Sequence, residues 1–235
     1  MSTPVGPPRT EAEALAVQEQ LRDRVEERDG AVPPPGTPGA VLVGLDVAYD
    51  DERDAVAAAA VALDAASLRT VAEATAHARV AFPYVPGLLA FREVPALLRV
   101  LELLEPRLGR RPDLLVCDGY GRAHPRRCGL ASHLGVVTGV PAVGVAKNPF
   151  VFTHGPVGPH RGDRAPLLAG DEEVGSALRT RAGVKPVYVS VGHRITLDAA
   201  CAHTLALAPD YRLPETTRRA DALCRRALRE GPRTG

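Results

Sequence analysis

The spacing of hydrophobic positions changes along the chain, and each spacing predicts a kind of element. Residues 10–28 carry apolar side chains at a loosely helical spacing among Glu, Gln and Arg, which predicts a first helix capped by Thr10. The prolines and glycines of 33–39 cannot continue that helix, so they predict a connector.

Three short apolar runs follow, at 41–49, 55–63 and 70–81, and polar turns separate them. This pattern predicts an antiparallel meander. The Ala-rich middle run is ambiguous, because alanine favours helix while the short flanks favour a strand.

From Glu93 onward the pattern alternates between helix and strand, which predicts parallel strands with covering helices. After a Gly- and Pro-rich surface segment, a hairpin and two last helices follow. The predicted elements are helix 94–104, strand 114–117, helix 129–138, strand 142–145, surface segment 148–166, hairpin 173–179 with 187–191, and helices 197–207 and 214–228.

An antiparallel meander that feeds a parallel half is the element order of a ribonuclease H-like fold. We therefore predict an α/β protein with a mixed central sheet flanked by helices. No break in composition divides the 235 residues, so we predict a single domain over 1–235. Within it, 1–39 would supply the N-terminal helix and connector, and 40–230 the core.

The net charge of +1, from 29 Lys and Arg against 28 Asp and Glu, gives no sign of a nucleic-acid partner. Any such contact must be a local patch. Arginines gather at 122–127, at Arg179 and Arg181, and at 218–229, where a solvated helix face is the simpler interpretation.

The four cysteines form no CxxC pair, which indicates free buried thiols in a reducing compartment. The acidic N-terminal region does not resemble a signal peptide, and no apolar run reaches membrane-spanning length. We expect a cytoplasmic protein that does not contact a membrane. A monomer is the default expectation, since no heptad or exposed apolar stripe calls for a partner.

Three acidic residues stand out because of where they lie in the predicted elements. Asp46 interrupts an apolar strand, and a charge there needs a partner. Asp118 ends a buried strand, where open α/β sheets bind their ligands. Glu93 lies near the start of the next helix, where an acidic residue alone would be explained by the helix dipole. As a set, these carboxylates suit Mg²⁺ and phosphoryl transfer.

Lys147 ends the apolar run 143–146 and would lie just past a strand. A lysine there could neutralise charge that develops on a phosphate. A solvated strand cap is the alternative interpretation.

The chain resembles the endonuclease V family over about 42–226, through several long motifs in the family's order. One short match would be weak evidence, but ordered long motifs make chance agreement very improbable. The motifs are GLDV at 44–47, PYVPGLLAFRE at 83–93, DGYGRAHPRR at 118–127, GLASHLG at 129–135, GVAK at 144–147, VSVGH at 189–193 and YRLP at 211–214.

The resemblance implies a Mg²⁺-dependent endonuclease, with Mn²⁺ as an alternative metal, that acts on deoxyinosine in DNA. It would cut the second phosphodiester bond 3′ to the lesion and leave 3′-hydroxyl and 5′-phosphate ends. Asp46, Glu93 and Asp118 would bind the metal, with His124 and Lys147 close to the scissile phosphate.

The resemblance also assigns a wedge and a base pocket. Pro83, Tyr84, Val85 and Pro86 would enter the duplex at the place of the displaced base, with two prolines limiting the entropy lost when Tyr84 stacks. Without the resemblance, this segment reads as a Pro-rich turn with Tyr84 packed on the core. The flipped base would enter a pocket lined by Gly87, Leu89, Gly119 and Leu130.

The chain departs from the family pattern in two places. Asp221 stands where many bacterial members carry histidine, and we predict that it is a fourth acidic residue of the metal site. Asn148 and Pro149 follow Lys147 where a small serine is usual, which predicts a differently shaped loop. His133 lies in an apolar helix, and a core or capping histidine is the preferred interpretation.

Two other functions stay open at this stage. The same motifs occur in members that cut inosine-containing RNA, so an inosine-specific endoribonuclease is the first alternative. A non-catalytic module that binds inosine-bearing strands is the second, although retained carboxylates would repel phosphate unless a cation lies between them.

Overall fold

The computed structural model describes residues 8–80 and 82–231, which form eight strands and five helices. In chain order these are α1 (Glu11–Arg22), β1 (Val41–Asp50), β2 (Ala55–Asp64), β3 (Thr70–Arg79), α2 (Leu89–Leu108), β4 (Leu114–Asp118), α3 (Leu130–Thr138), β5 (Ala142–Ala146), β6 (Arg164–Ala169), β7 (Glu172–Leu178), β8 (Val187–His193), α4 (Leu197–Ala206) and α5 (Glu215–Glu230).

The eight strands form one mixed sheet in the order β3-β2-β1-β4-β5-β8-β7-β6. The first three strands pair antiparallel, as predicted for a meander. Strands β4 and β5 then add parallel to β1, while β6, β7 and β8 complete the sheet with antiparallel pairs. The predicted ribonuclease H-like α/β fold is confirmed.

The Ala-rich run is a strand, β2, although alanine favours helix. Its eight inner residues are buried, because β2 lies between two other strands and helices cover both of its faces. Helix α2 packs on one face, and α5 packs on the other. Small side chains let both helices approach closely, so tertiary packing overrides the local propensity.

Helices α2 and α3 cover one face of the sheet, and α4 and α5 cover the other. Gly44 of β1 allows the close approach of α5, because a Cβ at this position would lie 2.2 Å from the carbonyl carbon of Thr216. Any larger residue at 44 would push α5 away from the sheet.

Several predicted boundaries were wrong. Helix α2 begins at Leu89 rather than at 94, because Leu88 and Phe91 pack with α1 and extend the ordered turn backwards. Helix α1 ends at Arg22 rather than at 28. The hairpin of β7 with β8 is confirmed.

Strand β6 was missed, since its first residues fall in the predicted surface segment and Pro166 argues against a strand. Pro166 is tolerated there because β6 is an edge strand of the sheet. The predicted end of the third strand, Ala81, lies outside the described residues.

The four cysteines are free and buried, as predicted. Across 8–80 and 82–231, no helix combines the length and the apolar character that crossing a bilayer requires.

Candidate active site

The parallel strands β1, β4 and β5 lie side by side and bring their polar residues together where β4 and β5 end and β1 continues beyond them. Asp118 is the last residue of β4, and Lys147 follows β5 directly. The Lys147 Nζ lies 2.5 Å from Asp118 Oδ2. Asp46 follows Leu45, which pairs with Cys117, so Asp46 lies beside Asp118. We call Asp46, Asp118, Lys147 and Asp221 the carboxylate edge.

Asp46 is the member of the carboxylate edge that has a buried oxygen without a partner. Its Oδ1 accepts a hydrogen bond from the Val47 N–H at 2.8 Å. Its Oδ2 is buried and has no hydrogen-bond partner among the described residues. Burial, and then the charge of Asp118, raise the pKa of Asp46 to about 8. A cation beside Oδ2 would offset both the cost of burying this charge and the repulsion from Asp118.

Asp221 reaches the carboxylate edge from α5, which Gly44 allows to pack against β1. Its Oδ1 accepts from Arg225 Nε at 2.9 Å. The negative charge of Asp221 contributes to raising the pKa values of both Asp46 and Lys147. Asp221 therefore lies within electrostatic reach of Asp46 and Lys147.

Glu93 approaches Asp118 from α2. It lies in the second turn of this helix, not in the first turn as predicted. Attraction to the helix dipole therefore does not explain an acidic residue here. The carboxylate is buried and accepts a hydrogen bond from the Tyr49 hydroxyl at 3.0 Å. Burial raises the pKa of Glu93 to about 7, with Asp118 adding to the rise and Tyr49 opposing it.

The acidic residues share Asp118 as a common neighbour. Both Asp46 and Glu93 feel its charge. Within the described part of the chain, no three His, Cys, Asp or Glu side chains gather into a metal-holding cluster. The donors are nevertheless hard carboxylate oxygens, and Asp46 Oδ2 is a buried acceptor without a partner. The chemistry of this set fits a hard divalent cation such as Mg²⁺.

A pocket of about 240 Å³ opens beside the carboxylate edge, and Asp118 forms part of its wall. The four residues predicted to line a base pocket, Gly87, Leu89, Gly119 and Leu130, all lie in this wall. We call this cavity the base pocket. Its volume is below the roughly 300 Å³ at which ordinary small-molecule sites begin, so it can take only a small group.

Two glycines of the base pocket have backbone conformations that L-residues rarely adopt. The φ angle is +81° at Gly87 and +149° at Gly119. A Cβ at Gly119 would also contact the Leu130 side chain at 3.6 Å. Glycine at these positions lets the backbone itself form the wall.

The predicted wedge carries Tyr84 outward. Its side chain is 66% exposed, whereas Phe82 and Leu88 on either side are buried. The alternative in which Tyr84 packs on the core is therefore wrong. Tyr84 and Pro86 line the base pocket, so the wedge and the pocket are continuous.

His124 lies in the wall of the base pocket and is buried. Its Nδ1 accepts a hydrogen bond from the Arg126 N–H at 3.2 Å. Burial, and then the charge of Arg126, lower the pKa of His124 to about 4. A neutral imidazole can donate a hydrogen bond to phosphate but cannot offset its charge, whereas the ammonium group of Lys147 can.

Several arginines that could bind DNA form ion pairs or hydrogen bonds with other groups of the protein. Arg122 pairs with Glu27 and Glu172. Arg179 donates to backbone carbonyl groups, including that of Val157. The pair Arg218 and Arg219 shares Glu215.

His133 is a core histidine, as preferred from the sequence. It is 7% exposed, and its ring meets Phe91 edge-on at 5.0 Å between centroids. Burial lowers the pKa of His133 to about 4. The residue lines neither the base pocket nor the carboxylate edge.

Several further residues line the base pocket and were not predicted from the sequence, among them Gln18, Tyr120 and Phe150. Tyr120 stacks on Phe150 with 5.6 Å between ring centroids. The signal for Gln18 was present, since it occupies a buried helical position four residues after Ala14. The buried positions of an amphipathic helix are usually apolar, so a glutamine there is unusual.

Comparison with known proteins gives consistent matches over nearly the whole chain. A family model described as Endonuclease V matches residues 19–222. An endonuclease V of Streptomyces avermitilis is 67% identical over 227 residues, which cover 97% of this chain and 96% of that protein.

Solved structures agree with the sequence matches. The crystal structure of the S. avermitilis endonuclease V superposes with a TM-score of 0.90 and 66% identity, covering 97% of this chain and 96% of that one. An endonuclease V of Ciona intestinalis was crystallised with a 24mer DNA containing an inosine followed by a ribo-adenosine. It superposes with a TM-score of 0.81 and 27% identity, covering 93% of this chain and 98% of that one.

Proposed function

The chain belongs to the endonuclease V family, and from that premise we propose that it is a Mg²⁺-dependent endonuclease that cuts DNA beside deoxyinosine. It hydrolyses the second phosphodiester bond 3′ to the lesion and leaves 3′-hydroxyl and 5′-phosphate ends. One observation carries the proposal: Asp118 belongs both to the carboxylate edge and to the wall of the base pocket. Lesion recognition and strand cutting can therefore occur on one strand held across Asp118.

Asp46, Glu93 and Asp118 hold the metal in this proposal, with Asp221 as a fourth acidic residue. When bound, Mg²⁺ stabilises charge on the phosphate oxygens and lowers the pKa of an attacking water molecule. Mn²⁺ offers similar chemistry to the same oxygen donors. The unpaired Asp46 Oδ2 supports this assignment.

Lys147 contributes a permanent positive charge. Burial is the largest single influence and opposes that charge, but the hydrogen bond and charge of Asp118, together with the charges of Asp46 and Asp221, raise the pKa of Lys147 above its ordinary value. The ammonium group therefore stays protonated and can donate to a non-bridging phosphate oxygen in the transition state. His124, which is neutral, acts as a hydrogen-bond donor near the same phosphate.

The base pocket selects hypoxanthine through its edge. Hypoxanthine presents O6 as an acceptor and N1–H as a donor, which is the reverse of adenine, and it lacks the 2-amino group of guanine. Backbone groups at Gly87 and Gly119 can approach the base closely because no Cβ intervenes. A normal purine would leave buried polar groups unpaired, and this costs about 1–3 kcal/mol per group.

The wedge keeps the duplex open while the base is extruded. Tyr84 is already exposed at the mouth of the pocket, and its two flanking prolines limit the entropy lost on binding. Stacking of Tyr84 on the remaining bases compensates part of the unstacking energy.

The test is cleavage of a labelled duplex with one deoxyinosine, followed by mapping of both product ends. We expect a cut at the second bond 3′ to inosine in Mg²⁺ or Mn²⁺, and none in chelator or on an undamaged duplex. Strand binding that is equal in chelator and Mg²⁺, with no product in either, would leave only the non-catalytic binding module. Cutting at undamaged sites at the same rate would contradict lesion recognition.

An inosine-specific endoribonuclease is the second candidate function. It is favoured by the C. intestinalis relative, whose DNA carries a ribo-adenosine directly after the inosine. Four matched strands decide the question: inosine in DNA or RNA, and each with a single ribo- or deoxy-nucleotide after the inosine. If DNA is the substrate, the all-DNA strand is cut at least as fast as the others. Cutting that requires the 2′-hydroxyl establishes the RNA alternative.

A further inference from the structure

Gln18 lies on the N-terminal helix α1, yet it is completely buried and reaches the wall of the base pocket. Its Nε2 donates to the Gly87 carbonyl at 3.1 Å and to the Cys128 carbonyl at 2.7 Å. Its Oε1 accepts from Arg126 Nε. Both ends of the amide are therefore used within the protein.

The first of these contacts holds the peptide group between the wedge and the pocket. The carbonyl of Gly87 also accepts from Arg126 Nη2 at 2.7 Å. The N–H of the same peptide group, at Leu88, donates to Val85 at 2.9 Å. Hydrogen bonds thus hold this peptide plane on both sides and determine where the Gly87 backbone meets a base.

The second contact holds another part of the pocket wall, at the start of α3. Cys128 precedes Gly129, which is the N-cap of α3, and Leu130 is the first residue of that helix. Both Gly129 and Leu130 line the pocket. Gln18 is 69 residues from Gly87 and 110 residues from Cys128 in sequence. A single amide therefore connects two parts of the pocket wall that are far apart in sequence, alongside the contact of Arg126 with Gly87.

We propose that Gln18 is a positioning residue that determines how well the base pocket selects hypoxanthine over normal purines. The inference rests on the proposed function. Discrimination requires backbone donors and acceptors at defined positions on both parts of the wall, because a mismatched base is rejected only when its polar groups stay unpaired. Gln18 keeps these two parts at a constant separation without touching the carboxylate edge.

The test replaces Gln18 by a side chain of similar length that cannot hydrogen bond, Gln18→Met. The control is Gln20→Met, which is the same change at an exposed position of the same helix. Dissociation constants and single-turnover cutting rates are measured on matched duplexes with inosine, adenine or guanine at one site.

For Gln18→Met we expect the inosine-over-adenine affinity ratio to fall about ten-fold or more. We expect the cutting rate at saturating enzyme on inosine DNA, and the affinity for undamaged DNA, to stay within about two-fold, because the carboxylate edge is unchanged. Gln20→Met should match the wild type throughout.

A loss of folding would lower the affinity for every duplex alike, so thermal unfolding is measured in parallel. Gln18→Glu is the second variant: it retains the acceptor for Arg126 but removes both N–H donors, and the same loss of selectivity is expected. Unchanged selectivity in either folded variant overturns the inference. If the wild type itself does not cut inosine DNA, the proposed function fails first. A wild type that cuts selectively beside a variant that is equally selective contradicts only the role of Gln18.

Discussion

The base pocket and the carboxylate edge share Asp118, yet their polar groups are in opposite states. In the pocket, the amide of Gln18 and the carbonyl of Gly87 have their partners within the protein. At the carboxylate edge, Asp46 keeps a buried oxygen without a partner, and its pKa is raised to about 8.

This difference separates two tasks. A recognition pocket gains from neutral hydrogen bonds that are complete before the substrate arrives, because little reorganisation then accompanies binding. A carboxylate edge with uncompensated charge is unfavourable until a cation and a phosphate occupy it. We therefore expect substitutions in the two regions to change different measurements.

The largest effect is expected for Asp118→Asn, which changes the one residue that both regions share. The cutting rate on inosine DNA should fall about 10³-fold, because the charge that holds the metal beside the pocket is lost. Asp171→Asn, in the exposed turn between β6 and β7, is the matched control and should cut at the wild-type rate. Wild-type cutting by Asp118→Asn would remove the metal-site proposal.

A smaller loss is expected for Lys147→Met. The maximal cutting rate should fall about 10²-fold while the affinity for inosine DNA changes little, because the ammonium group acts on charge that develops in the transition state. Lys185→Met provides the control, since Lys185 is an exposed lysine. A loss confined to affinity would show that Lys147 only attracts the strand.

Tyr84→Ala should affect recognition instead. We expect the affinity for duplex inosine DNA to fall about ten-fold, which is the scale of one lost base–aromatic stack. Single-stranded inosine DNA should be affected less, because no base needs replacing in a partner strand. Tyr211→Ala tests an exposed tyrosine that does not line the base pocket and is expected to bind like the wild type. Equal losses on both substrates would argue against a wedge.

The smallest effect concerns stability and gives the sharpest contrast between the regions. In chelator at about pH 9, above the raised pKa of Asp46, Asp46→Asn should raise the thermal midpoint by about 2–4 °C, or about 1 kcal/mol, because the buried charge beside Asp118 is removed. Gln18→Met should lower the midpoint, since buried carbonyl groups lose their donors. Scanning calorimetry of both variants in chelator checks the signs. A lower midpoint for Asp46→Asn would mean that its unpaired oxygen costs nothing.

Much of the fold could be predicted from local patterns. Alternation and short apolar runs identified β1 to β5, β7 and β8, because a strand with a buried face leaves a period in the sequence. Strand β6 was missed because Pro166 hides an edge strand. Helix α2 was placed too late because the contacts of Leu88 with α1 are long-range and leave no local signal.

The sequence by itself determined which residues could do chemistry here: acidic side chains within or next to apolar segments, a proline-flanked tyrosine and glycines where backbone must come close. Only the tertiary structure decided that Asp46 would lose a partner, that His124 would be neutral, and that Gln18 would connect two parts of the pocket wall. The reason is physical. Burial and pairing depend on segments far apart in the chain, whereas periodicity reports only on near neighbours.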